Sequence, residues 1–136
     1  MAQLGLSNHA NRLPYQLSGG MQQRVAMGRA FAQSPDLLLM DEPFGALDAM
    51  TRQGAQSVLL QIYAERQCTI AFVTHDVEEA LMLSDRIAIL TERPGHVAEI
   101  IKVPFVRPRI AELQWEPEFI ALRREIMCRL RNNGMT

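Results

Sequence analysis

Leu37-Leu38-Leu39-Met40, followed by Asp41-Glu42-Pro43, is the stretch that decides the fold of this chain. A short unbroken apolar run between turn-forming residues reads as a strand buried on both faces of a parallel sheet. Upstream, Met21, Val25, Gly28 and Phe31/Ala32 recur at helical spacing. They predict a helix from about Gly19, with Ser18 as N-cap, stopped by Ser34-Pro35. Downstream, the pattern predicts a helix from about Asp48 to Arg66, with Met50, Gly54, Val58 and Ile62 on its inner face. A second buried strand follows from Thr69 to Val73 and ends at Thr74-His75. Asp76 then caps a short helix, with Glu79 in the capping-box position. Arg86 to Leu90 reads as a third strand, and Pro94-Gly95 as the turn of a hairpin returning through Val97 to Val103. Beyond Pro104 and Pro108, Glu116 to Arg131 is amphipathic, with Phe119, Leu122, Ile126 and Leu130 on one side. Strands alternating with helices predict an α/β fold: a mostly parallel sheet with crossover helices, then a C-terminal hairpin and helix.

Composition narrows the function classes. The 136 residues suit one domain or a large piece of one, and 48% hydrophobic content argues against disorder. A formal net charge of −1 gives no electrostatic support to nucleic acid or an anionic membrane surface as partner. Of the 14 basic residues only Lys102 is a lysine. Cys68 and Cys128 fit no metal-ligand spacing and read as reduced thiols; His9, His75 and His96 are equally scattered. No apolar run approaches the ~18 residues that a membrane span needs, and the N-terminus lacks the pattern of a secretion signal. The expectation is a cytosolic protein whose membrane association runs through a partner.

Two places carry chemistry. Asp41 and Glu42 stand at the C-terminal end of an apolar strand, where open α/β sheets bind ligands. An apolar strand ending in Asp is the Walker B arrangement, in which the carboxylate holds Mg²⁺, usually through water. Glu42 is then placed to orient or deprotonate an attacking water. The second place is Leu17-Ser18-Gly19-Gly20-Met21-Gln22, a serine and two glycines opening a helix. Backbone N–H groups at a helix start favour a phosphate, and glycine lets it approach closely. A plain N-cap after a loop accounts for the serine but does not need the whole hexapeptide.

This hexapeptide resembles the signature motif of the ATP-binding-cassette (ABC) family. The rest of the family's order then follows: Leu37 to Asp41 as Walker B, Glu42 as catalytic glutamate, Gly45-Ala46-Leu47-Asp48 as D-loop and His75 as switch histidine. The resemblance implies a head-to-tail pair of ATPase subunits sandwiching ATP. Ser18, Gly19, Gly20 and Gln22 would face the ATP held by the partner subunit. Asp41 would hold Mg²⁺, Glu42 would act on the hydrolytic water and His75 would contact the γ-phosphate. Asp48 would lie at the dimer interface. Asp41 to Asp48 and Thr74 to Ala80 look most like bacterial importers, and the tail from Pro104 to Arg131 resembles those serving nitrate, sulfonate, taurine and related anions. Arg107, Arg109, Arg123 and Arg124 fit that likeness and equally fit a solvated helix face. Residues 1–103 are thus expected to be the C-terminal half of an ABC ATPase domain, of the P-loop NTPase type, and residues 104–136 a C-terminal extension.

The family's ATP-gripping loop, Gly-x-x-x-x-Gly-Lys-Ser/Thr, is absent: Lys102 follows Ile101. The resemblance implies that roughly the first half of the family's domain is not in this chain, which leaves exposed sheet edges and apolar patches. It also implies no ATP hydrolysis by the chain alone. Three functions follow as expectations: an importer ATPase subunit present as a fragment, an inactive module lending only its signature face, or a soluble cassette ATPase of translation or DNA repair. For the importer the partners are a second ATPase subunit, a permease dimer and, indirectly, a periplasmic solute-binding protein. The third class lacks support from tandem cassettes, a coiled-coil insertion or basic charge.

Overall fold

The computed structural model describes residues 4–66, 68–92 and 94–132, and the chain divides between Thr74 and His75 into two compact units. The first unit contains helix α1 (Gly19–Ala32), strand β1 (Leu37–Asp41), helix α2 (Ala49–Glu65) and strand β2 (Thr69–Val73). Ser18 caps α1, its Oγ accepting from Met21 N at 3.4 Å. The helix stops where Ser34 turns to φ +48° ahead of Pro35. β1 and β2 pair in parallel, Leu37 opposite Thr69 through Asp41 opposite Val73, with α2 as their crossover. α1 packs on α2. Leu4, Leu6, Met27, Phe31, Phe44, Ala55, Val58, Leu59 and Ile62 are buried.

Two expectations need correction here. The inner face of α2 is Ala55, Val58, Leu59 and Ile62, while Met50 is 86% exposed and Gly54 faces open space. Both stripes share Val58 and Ile62 at helical spacing, so periodicity alone does not choose between them. Nor is β1 buried on both faces: Leu37 and Leu39 are 54% and 71% exposed, and Val73 on β2 is 54% exposed. Leu38, Met40, Ile70 and Phe72, on the opposite face, are half-buried. A single β–α–β crossover covers only one face of its two strands. The exposed apolar patch expected from the sequence is therefore present.

The second unit holds helix α3 (Val77–Leu83), strands β3 (Arg86–Leu90) and β4 (Val97–Lys102), a 3₁₀ turn at Ala111–Trp115 and helix α4 (Pro117–Asn132). β3 and β4 form the expected antiparallel hairpin, with a register shift between Ile89 and Leu90. Thr91 closes its turn, donating from Oγ1 to Pro94 O at 3.0 Å and accepting from His96 N at 3.1 Å. Among the described residues β3 pairs with β4 alone, so the parallel ladder consists of β1 and β2 and the other ladder is antiparallel. Leu81, Met82, Leu83, Ile89, Val103, Phe119 and Ile126 are buried. The Phe105 and Phe119 rings lie 5.5 Å apart. α4 turns Phe119 and Ile126 inward as its periodicity predicts, with Leu122 and Leu130 half-buried beside them. Arg129 of α4 pairs with Glu99 of β4 and with Glu125.

Candidate nucleotide-facing site

The first unit sets the start of α1 against the start of α2. A Cβ built on Gly20 would fall 2.0 Å from Thr51 Cγ2, and one on Gly19 would fall 3.8 Å from Leu47 Cδ2. Gly20 is buried by this approach, whereas Ser18 and Gly19 remain exposed. The first N–H groups of a helix have no acceptor within it, so the exposed start of α1 offers donors to an anion.

The loop before α1 is held in place by its own helix. Gln22 Nε2 donates to Pro14 O at 2.9 Å and to Leu17 O at 3.2 Å, and Leu13 N donates to Gln16 Oε1 at 2.9 Å. The side-chain nitrogen of Gln22 is thus engaged with the loop rather than extended toward solvent. Arg24 donates to Gly20 O and Leu4 O, each at 3.4 Å.

Asp48 is the N-cap of α2, its Oδ1 accepting from Thr51 N at 3.1 Å. Hydrogen bonds from the Thr51 side chain and backbone hold the Asp48 carboxyl below its ordinary pKa. Arg52 Nη2 reaches back to Leu47 O at 3.1 Å. Ser18 to Gly20, read from the sequence as a signature, and Leu47 and Asp48, read as part of a D-loop, therefore lie on two neighbouring helix starts.

Asp41 and Glu42 stand at the other end of this segment. Asp41 is the last residue of β1, opposite Val73, and is exposed. Glu42 N donates to Val73 O at 3.0 Å, and Glu42 itself has φ +42°. That left-handed conformation is uncommon outside glycine, asparagine and aspartate. The chain turns at once, with Gly45 N donating to Glu42 O at 3.2 Å and Leu47 N to Phe44 O at 3.1 Å, while Phe44 is 1% exposed. A Cβ on Gly45 would lie 3.5 Å from Glu42 Oε2, so the carboxylate folds over the glycine. His75 is exposed and opens the second unit, immediately before the Asp76 cap of α3.

Sequence reasoning missed the part played by the arginines of the tail. Arg109 is 6% exposed: Nη1 donates to Leu81 O, Met82 O and Ser84 O at 2.9, 3.3 and 2.7 Å, while Nε and Nη2 both donate to Phe105 O. Burial pushes its pKa down, Arg107 adds to that, and Asp85 opposes it. Arg107 donates to Leu83 O at 2.6 Å and Asp85 Oδ1 at 2.9 Å. Arg123 pairs with Glu78 at 3.2 Å. Arg124 is exposed and fits the solvated face. The signal available in the sequence was the spacing Arg107-Pro108-Arg109, two cations beside a helix-breaking proline.

The ABC transporter family matches residues 1–45, a span that includes Leu17 to Gln22 and Leu37 to Glu42. The taurine import ATP-binding protein TauB of Pelagibacter ubique is 45% identical over 133 residues, covering 95% of this chain and 50% of TauB. The chain belongs to the ABC transporter family. The nitrate import ATP-binding protein NrtC of Synechocystis is 49% identical over 129 residues, covering 93% of this chain and 19% of NrtC. A dimeric ATP-binding cassette in a post-hydrolysis state with ADP and Pi superposes with a TM-score of 0.61 at 36% identity, over 77% of this chain and 46% of that one. This ABC chain spans about half the length of the first curated relatives it matches.

Proposed function

We propose that this ABC chain is the signature-bearing half of the ATP-hydrolysing subunit of an importer, and that by itself it does not turn over ATP. The observation that carries the reading is the close approach of Gly20 to Thr51, which sets the glycine-opened start of α1 beside the Asp48-capped start of α2. Ser18, Gly19 and Gly20 would face the γ-phosphate of an ATP held by a second subunit, through N–H donors at the positive end of the helix dipole. Gln22 would serve that face by holding the loop from Pro14 to Leu17 rather than by touching nucleotide. Asp48 would lie at the subunit interface. Glu42 would accept a proton from, or orient, the attacking water, and His75 would contact the γ-phosphate.

Asp41 fits a share of a Mg²⁺ site. Among the described residues no cluster of three or more His, Cys, Asp or Glu side chains gathers. An exposed carboxylate at a strand end suits a hard cation that keeps most of its own waters, as Mg²⁺ does. Mg²⁺ so held would neutralise charge on the phosphates.

Without a glycine-lysine loop the chain has no grip of its own on the β- and γ-phosphates. Its partners in this reading are a second ATPase subunit, a permease dimer at the inner face of the membrane and, through the permease, a periplasmic solute-binding protein. No described helix is long and apolar enough to cross a membrane, so a cytoplasmic position on the membrane would depend on the permease. Residues 1–103 would act as the cassette half and 104–136 as its extension; residues 1–3 and 133–136, at the ends of those ranges, lie outside the described residues. The second reading, an inactive module that lends only the signature face, is favoured by the same missing lysine.

The test mixes the purified chain with a full-length homologous subunit carrying Glu→Gln at its catalytic glutamate. The importer reading expects no ATP turnover by the chain alone and ATP-dependent association in the mixture. Magnesium-dependent turnover by the chain alone refutes the inactivity, and absence of association refutes the signature role. Restoration of turnover when the missing half is supplied separates the enzyme from the inactive module.

A further inference from the structure

α3 has only seven residues, Val77–Leu83, too few to be stable as an isolated helix. Both ends are held by side chains. At the start, Asp76 Oδ1 accepts from Glu78 N at 2.9 Å and Glu79 N at 3.2 Å. At the end, the last carbonyls of a helix lack intrahelical donors, and here each finds one. Ser84 Oγ donates to Ala80 O at 2.7 Å. Arg109 serves Leu81 O and Met82 O, and Arg107 serves Leu83 O. Arg109 then continues to Ser84 O. The two arginines also share Asp85, at 2.9 Å from Arg107 and 3.7 Å from Arg109. A positive charge at a helix C-terminus is favourable, and a guanidinium presents its donors in a fixed fork. A buried guanidinium is costly to retain unless its donors are satisfied, and Arg109 spends them on backbone carbonyls of the α3 end and of Phe105.

We propose that Arg109, assisted by Arg107, is a positioning residue for the switch-histidine segment. The C-terminal extension grips the end of α3, and the rigid two-turn helix transmits that grip through the Asp76 cap to His75. This rests on the role assigned to His75 above. The extension is thereby part of the catalytic half rather than an appendage to it. Arg123 adds a third hold, pairing with Glu78 in the first turn of α3.

The experiment uses the whole chain without nucleotide, so its outcome is independent of the mixing test. Amide hydrogen exchange is read residue by residue, together with the ¹H–¹³C ring signals of His75, in the native sequence, Arg109→Met and Arg107→Gln. In Arg109→Met the amides of Leu81 to Ser84 are expected to exchange at least about tenfold faster. The His75 ring signals shift, and the β3–β4 ladder keeps its native protection. Arg107→Gln gives a smaller change in the same direction and decides the matter if Arg109→Met does not fold. An unmoved His75 signal beside a loosened α3 overturns the proposal. So does equal loss of protection in α3 and the β3–β4 ladder, since Arg109 would then merely stabilise the whole unit.

Discussion

Gly20 on α1 backs onto Thr51 on α2 so closely that a methyl group at position 20 would fall 2.0 Å from Thr51 Cγ2. The threonine cannot yield easily, because a β-branched side chain in a helix is stiff at χ1 and Thr51 is also bonded to Asp48. The glycine at position 20 is thus required by packing alone. Gly20→Ala should cost about 1–3 kcal/mol through overpacking. Adding Thr51→Ser, which removes Cγ2, should recover most of the loss. Thermal melts of the single and double variants check this, and a double variant no better than Gly20→Ala would contradict it.

Asp48 caps α2, and hydrogen bonds to Thr51 hold its folded pKa below the ordinary 3.8. A depressed carboxyl contributes stability that is complete above its unfolded pKa and is lost as pH falls through the folded one. Asp48→Ala should therefore lower Tm at neutral pH, and the gap between variant and native chain should close on acidification. A gap that stays constant into the acid range would remove Asp48 as the source.

Glu42 sits at φ +42°. Asparagine tolerates that backbone and valine does not, because a branched Cβ crowds the following carbonyl. Glu42→Val should destabilise by about 1–2 kcal/mol, while Glu42→Asn should stay within about 0.5 kcal/mol of the native chain. Urea denaturation of the two variants gives the comparison, and equal losses would mean that the left-handed turn is not held in solution.

The bare face of β1 makes a contrast with the face behind it. Leu39 is 71% exposed, so Leu39→Lys should change stability by no more than about 0.5 kcal/mol and should reduce self-association in sedimentation velocity. Leu38, half-buried on the opposite face, should not accept the same change without clear loss of stability. If Leu39→Lys unfolds the chain, or leaves self-association unchanged, the face is not an exposed apolar surface.

Local elements were readable from local chemistry. Ser18 and Asp76 each cap the helix that the pattern assigned to them, because an N-cap depends on residues within one turn; Asp48, read as the start of α2, is its N-cap. β1 to β3 begin at Leu37, Thr69 and Arg86 as expected, and β1 extends one residue to include Asp41. What failed was the choice of face. Met50 and Gly54 continue the spacing of Val58 and Ile62, but Ala55 and Leu59 lie on the side that meets the core.

The order of Ser18-Gly19-Gly20, Asp41-Glu42, Asp48 and His75 along the chain is a property of the sequence, and it alone pointed to the family and the chemistry. Tertiary structure decided which of them meet. The start of α1 rests on the start of α2 because Gly20 has no side chain to hold Thr51 away. Whether β1 is covered on one face or two depends on how many helices cross the sheet, which an apolar run cannot count. Whether an arginine is a solvated charge or a helix cap depends on which carbonyls reach it across nearly thirty residues of chain, as Leu81 and Met82 reach Arg109. Spacing fixes an element's period, but partners remote in sequence are chosen only when the chain closes on itself.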